Sequence, residues 1–323
     1  MHPNLRNLSH SSRDILHRCP REYQIYKLSA RPERVESIDT LFGTAVGIGV
    51  QSLLLGETRD QAIWKMFLGW KGDLLSDSDS AKAEKSKKFF WHTVGAIDSF
   101  TPLLKSLFKD WEVATFQGKP AVELSFRINF GDEFLDRGHV DVVLVHTKTG
   151  ELRVVELKTT ASTTVLEATY GNSQQGVGYG VVLDAIAKQY PEHHSSYTVL
   201  YLVYKTKVTE WQAIPFKKTY LQRAQWIKNV LTDIEHIQGY DRNSFWPMHG
   251  ENCVRFYREC DYYSTCNMSD RILFGVPDKI PVATDTRDNG KPVEYVFDLH
   301  VLDLLEAQLE KEPEVQLEVQ SKE

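Results

Sequence analysis

The sequence predicts an α/β fold: a mixed sheet flanked by helices, with a helical insertion ahead of it and a cysteine cluster behind it. Three observations predict it. The apolar pattern is helical up to about residue 115, then changes period into three strand-like segments, "AVELSFRINF", "EFLDRGHVDVVLVH" and "ELRVVELKTT", parted by short turn signals. A glycine-rich helical segment and two more strand-like segments follow. A long amphipathic helix then leads into three crowded cysteines.

Taken in order, residues 7–28, "NLSHSSRDILHRCPREYQIYKL", open with Asn and Ser cap candidates and keep helical spacing through Ile15, Leu16 and Tyr23. Pro20 breaks or kinks this helix, because proline lacks an N–H and its ring meets the preceding turn. A second helix runs through "TLFGTAVGIGVQSLLLGE", whose Gly43, Gly47 and Gly49 favour close approach to a flat neighbour or a ligand over helix stability. Residues 57–115 read as a helical insertion, with a polar loop or exposed helix start at 73–88. The three strands are expected to pair antiparallel, with "TKTG" at 147–150 as a tight hairpin turn. A helix around 172–189, strands in "SYTVLYLVYKTK" and "EWQAIPF", and a helix over 217–238 follow. Residues 273–323 form a C-terminal extension that ends in an acidic tail.

With 323 residues, the chain is long enough to bury a large core. Charged residues at 25% and aromatic residues at 11% describe a globular protein, and no apolar run approaches the roughly 20 residues of a membrane span. The N-terminus does not read as a secretory signal, so the expected location is the cytoplasm. A formal charge of −6 argues against indiscriminate coating of nucleic acid, but a local basic groove is compatible with it. Lys205, Lys207, Lys217, Lys218 and Arg223 are candidates for one edge of such a groove, or for a solvated face.

Charge inside the predicted sheet is the feature that needs a cause. Side chains alternate along a strand, so Glu156 and Lys158 share one face while Leu157 points into the opposite layer. Closing the hairpin at 147–150 brings Asp141 beside Glu156. Buried charges of this kind cost several kcal/mol unless they are paired or bind a metal. Downstream, Gln175 and Tyr179 in "NSQQGVGYG" are four apart and share one helix face. Cys19 stands alone near the start, whereas Cys253, Cys260 and Cys266 crowd into "CVRFYRECDYYSTC". In a reducing compartment such a set reads as a metal or cluster site before it reads as disulfides.

The series Gly138 and Asp141, then Glu156-Leu157-Lys158, then Gln175 and Tyr179 resembles the PD-(D/E)xK nuclease superfamily, specifically its RecB-like exonuclease branch. The Ser-containing helix and Cys-Pro step of "HSSRDILHRCPREYQIY" also match that branch. The resemblance implies a restriction-endonuclease-like core over residues 1–272 that hydrolyses DNA with Mg²⁺ or Mn²⁺. Asp141, Glu156 and the Leu157 carbonyl would be metal ligands, Lys158 would act on the attacking water, and Gln175 and Tyr179 would position substrate. Cys19, Cys253, Cys260 and Cys266 would hold a 4Fe–4S cluster, with structural Zn²⁺ as the alternative for an all-thiolate set. One departure stands out: the branch commonly places a His ligand where this chain has Gly47, and Gln51, one turn on, is the candidate substitute. That departure keeps a second reading open, a DNA-end-binding scaffold subunit retaining the nuclease fold.

Overall fold

The computed structural model describes residues 1–29, 37–70, 77–131, 134–187, 197–255, 258–275, 280–282 and 296–297. In chain order these form α1 (Pro3–Arg6), β1 (Asn7–Leu8), α2 (His10–Arg18), α3 (Pro20–Leu28), α4 (Ile38–Leu54), α5 (Arg59–Gly69), α6 (Asp77–Ser86) and α7 (Phe90–Ser106). Next come β2 (Trp111–Val113), β3 (Thr115–Phe116), β4 (Lys119–Pro120), β5 (Val122–Asn129), β6 (Leu135–His146), β7 (Leu152–Thr160), α8 (Ala168–Gly171) and α9 (Gln174–Ala187). The chain continues through β8 (Tyr197–Lys205), β9 (Glu210–Lys218), α10 (Tyr220–Arg242), β10 (Val254–Arg255), β11 (Arg258–Glu259), α11 (Asp270–Phe274) and β12 (Val296–Phe297). His193, His194 and the acidic tail lie outside the described residues. Among the described residues, no helix is long and apolar enough to cross a membrane.

The chain divides into two units. One comprises residues 35–124 and 139–223, and the other residues 1–34, 125–138 and 224–323. β5 and β6 contribute residues to both.

In the first unit the hydrogen-bonded order is β6-β7-β8-β9, with β2 also pairing β6. β6 and β7 are antiparallel, β7 and β8 parallel, and β8 and β9 antiparallel, so this is the mixed sheet that the sequence predicts. The parallel step requires a crossover, which α8 and α9 supply. Pro215 sits in β9 opposite Leu200, and a proline is tolerated there because, among the described residues, β9 is an edge strand with one partner. One face of the sheet gives Val142, Leu144, Val155, Leu200, Leu202 and Tyr204 to a core shared with Phe42, Val46 and Val50 of α4, Ala62 and Met66 of α5, and Ile97 and Phe100 of α7. Gly49 permits this packing: a Cβ there would stand 2.4 Å from Met66 Sδ and 2.5 Å from Ile97 Cδ1.

The helices begin where capping chemistry allows. Ser37 caps α4 by accepting from the Thr40 amide, and Thr58 and Gln61 form a capping box on α5. The stretch at 73–88 contains α6, the helical alternative of that reading, with Ala83 buried. One expectation shifts. The end of the expected insertion at 57–115 is β2, because Trp111–Val113 pairs antiparallel with His146, Val145 and Leu144.

In the second unit, α2 and α3 are separate helices. Cys19 is the extended residue between them (φ −159°, ψ 108°) and Pro20 opens α3. β1 pairs parallel with the start of β6, and β12 pairs parallel with the end of β5. Asp233 of α10 accepts from Arg13 Nε and bonds His17 Nε2, both at 2.7 Å, which ties α2 to α10. Arg21 of α3 donates to the carbonyls of Cys266 (3.2 Å) and Met268 (2.7 Å), which ties α3 to the C-terminal cysteine segment.

Candidate active site and the four-cysteine cavity

The β6–β7 hairpin closes as its turn residues require. Gly150 takes a left-handed φ of +70°, and its amide donates to the His146 carbonyl at 2.9 Å. The ladder pairs Val142 with Val155, so the next step sets Asp141 across from Glu156. Val155 and Leu157 belong to or pack on the core described above, which puts Glu156 and Lys158 on the other face. There α9 covers them.

Glu156 is 2% exposed, and its Oε1 pairs with Lys158 Nζ at 2.5 Å. Its Oε2 is buried without a hydrogen-bond partner. Asp141 Oδ2 accepts from the Leu157 amide at 2.8 Å. Burial and the charge of Glu156 nevertheless push Asp141 well above the ordinary carboxylate range, with the Leu157 amide opposing. Burial alone would lower the Lys158 ammonium, but the Glu156 and Asp141 charges outweigh it and leave Lys158 raised. The Lys158 side chain is 37% exposed, so the cation faces both the carboxylates and open space.

From α9, Gln175 Oε1 accepts from Lys158 Nζ at 3.2 Å, and Gln175 Nε2 donates to Tyr179 Oη at 2.7 Å. Tyr179 is 4% exposed, and burial together with the two carboxylates raises its phenol far above its usual range. The i, i+4 spacing of Gln175 and Tyr179 thus joins Asp141, Glu156 and Lys158 in one network.

Gln51 joins it through a residue that the sequence reading passed over. Gln51 Nε2 donates to Glu123 Oε1 at 2.6 Å, and the charge of Glu123 bears on Asp141. Glu123 has φ +47°, a left-handed conformation that costs a non-glycine residue about 1 kcal/mol or more. An acid in the otherwise apolar "AVELSF" was the available signal. Tyr201, the β8 partner of Glu156 in register, was hidden in a mostly apolar strand. Lys218 and Arg223 correct the expected basic edge: both are 0% exposed, Lys218 bonded to the Gly171 carbonyl at 2.5 Å and Arg223 paired with Asp184 at 3.1 Å.

In the other unit Cys19, Cys253, Cys260 and Cys266 line one cavity, together with Glu22 and His249. All four thiols are free. Cys260 donates its amide to the Cys253 carbonyl at 2.8 Å, and His249 Nδ1 and Asn252 Nδ2 bond the Arg18 carbonyl at 3.0 and 2.7 Å, which holds the C-terminal loop against Cys19. Burial raises the Cys260 and Cys266 thiols. Among the described residues, no three His, Cys, Asp or Glu side chains are drawn together so that they could hold a single metal ion.

No curated protein matches the chain. A solved structure described as the crystal structure of SSO0001 is similar at 13% identity, covering 69% of this chain and 86% of that one with a TM-score of 0.27. The family comparison reaches further, because the sequence model of one nuclease superfamily matches residues 7–267, a span holding both carboxylates, Lys158 and all four cysteines. On that match the chain belongs to the PD-(D/E)XK nuclease superfamily.

Proposed function

We propose that this chain is a divalent-metal-dependent deoxyribonuclease of the RecB-like branch, working on DNA ends in the cytoplasm, with residues 1–272 as its nuclease domain. The observation that carries the reading is Asp141 set across from the buried Glu156, which pairs with Lys158. Members of this superfamily use divalent metals such as Mg²⁺ or Mn²⁺. The residues fit one. Two carboxylates crowd each other, one buried oxygen of Glu156 lacks a partner, and Mg²⁺ binds through one or two carboxylates while keeping several waters. Asp141, Glu156 and the Leu157 carbonyl would hold it, with Glu123 and Gln51 beside them. When bound, the metal supplies charge neutralisation and an activated water.

The chain's own residues do the rest. Lys158, kept protonated by its acidic neighbours, places a cation where the phosphate's negative charge grows. Gln175 accepts from the Lys158 ammonium and so helps to fix it, and Tyr179 in turn fixes Gln175. In the second unit, the four cysteines lining one cavity support a 4Fe–4S cluster, with Zn²⁺ as the alternative.

The test is cleavage of end-labelled single- and double-stranded DNA with Mg²⁺ or Mn²⁺. Asp141→Ala, Glu156→Ala and Lys158→Ala should each abolish cleavage while DNA binding largely survives, because affinity comes mainly from phosphate contacts elsewhere. Gln175→Ala and Tyr179→Phe should slow cleavage without abolishing it. Binding with no cleavage by the parent chain under any metal would select the scaffold reading that the Gly47 departure keeps open.

A further inference from the structure

Next to the reactive pair lies an aromatic feature that this chemistry does not use. Tyr170, on the single turn α8, stacks on Tyr201 with ring centroids 4.6 Å apart and planes tilted by 31°. Tyr201 is 0% exposed and pairs in register with Glu156, so its ring flanks the carboxylate on the face that carries Lys158. It is fully buried between neighbours. Phe216 meets it edge-on at 6.3 Å, and its hydroxyl lies so close to α9 that a Cβ at Gly176 would come within 2.4 Å. Tyr170 is the outer member of the pair and only partly buried.

The turn that carries Tyr170 is pinned. The buried Lys218 ammonium donates to the Gly171 carbonyl at 2.5 Å, and the Tyr170 amide donates to the Glu167 carbonyl at 2.9 Å. Gly171 lies against Phe216, where a Cβ would stand 3.4 Å from Cε1. Just upstream, Leu166 is 75% exposed. A partly exposed phenol ring is therefore held against Tyr201, the neighbour of Glu156 in register on the face that carries Lys158.

We infer that the outer face of Tyr170 is a stacking platform for an unpaired base next to the phosphate that Lys158 receives. This rests on the nuclease reading and extends it to a substrate class. A base inside a duplex has both faces covered by its neighbours, so such a platform selects single strands or frayed ends.

The experiment uses full-length protein carrying Lys158→Ala, so that nothing is cut, and single-stranded oligonucleotides with 2-aminopurine at the terminal or penultimate base. Stacking on Tyr170 should quench the fluorescence, and blunt duplex should not give the quench. Tyr170→Ala should remove the quench and weaken binding by roughly 5- to 150-fold, the range of one base–aromatic stack. Tyr170→Phe should keep both. Tyr170→Leu, which keeps apolar volume against Tyr201 without an aromatic face, should behave like Tyr170→Ala while retaining the parent melting temperature. The inference falls if Tyr170→Ala binds and quenches like its parent, or if Tyr170→Phe loses as much as Tyr170→Ala. Parallel cleavage by the chain with Lys158 intact separates the two ideas. A quench with no cleavage overturns the nuclease reading alone, and cleavage with a Tyr170-independent quench overturns this one alone.

Discussion

Gly47 is read most directly from its neighbours on α4. Gly43, four residues earlier on the same helix face, has a Cβ position 3.6 Å from Thr159 Oγ1 of β7, and Gln51, four residues later, reaches Glu123. Gly47 lies between them on that helix face, and nothing stands within 4 Å of where its Cβ would be. The position has room for a side chain and lacks one. Gly47→His should therefore fit without displacing a neighbour, and replacing a helical glycine should itself add a few tenths of a kcal/mol of stability. If an imidazole there completes the ligand set, the Mg²⁺ concentration for half-maximal cleavage should fall by about tenfold, the scale on which ligand-shell changes act. A metal titration of the cleavage rate separates this from simple stabilisation, which would leave the midpoint where it is.

Strand β6 carries two acids, the buried Asp136 near its start and the partly buried Asp141 near its middle, and both are held above the ordinary carboxylate range. Burial raises Asp136 to about 6 against the pull of Arg13 and Lys27, and its Oδ1 has no hydrogen-bond partner. Such a carboxyl keeps its proton in the folded chain at pH values where the unfolded chain has released it. Stability therefore falls as pH rises from about 4 through the folded pKa. For Asp136 that window closes near pH 6, and the loss is on the order of 2–3 kcal/mol. Asp136→Asn should match the parent melting temperature at pH 4 and exceed it by several degrees at pH 7; equal melting curves at both would show that Asp136 is solvated. Asp141 has the same sign with one difference: a divalent metal favours its ionised form. Mg²⁺ should raise the melting temperature more at pH 8 than at pH 5, and in Asp141→Asn this pH-dependent gain should shrink. The placing of Asp141 against Glu156 was legible in the sequence because a period of two and a four-residue turn together fix register. Gln175 and Tyr179 were legible for the analogous helical reason. Glu123 was not, since its role depends on a left-handed backbone and a partner 72 residues away. Lys218 looked like surface charge because alternation along β9 says which residues share a face but not which face is covered.

At the scale of the whole molecule, the unit that contains the cysteines is assembled from three separate stretches of chain, 1–34, 125–138 and 224–323. Its N-terminal helices meet its C-terminal loop through contacts such as Arg21 to the Cys266 and Met268 carbonyls. Contacts between ends so distant in sequence carry the full loop-closure entropy, and a ligand that bridges them removes that entropy from the unfolded chain. A cluster held by Cys19, Cys253, Cys260 and Cys266 would act on this term, since Cys19 lies on one side of the closure and the other three on the opposite side. Protein prepared without oxygen should then be brown and contain about four iron atoms per chain, as a 4Fe–4S cluster requires, whereas zinc would leave it colourless. Cys19→Ser and Cys260→Ser should lose stability and soluble yield to a similar extent, because either change opens the same closure. Both should retain per-molecule cleavage in whatever fraction stays folded, as Asp141, Glu156 and Lys158 belong to the other unit. Metal analysis finding neither iron nor zinc, together with a Cys19→Ser melting temperature equal to the parent's, would leave four ordinary thiols around a cavity and return the closure to the arginine and aromatic contacts alone.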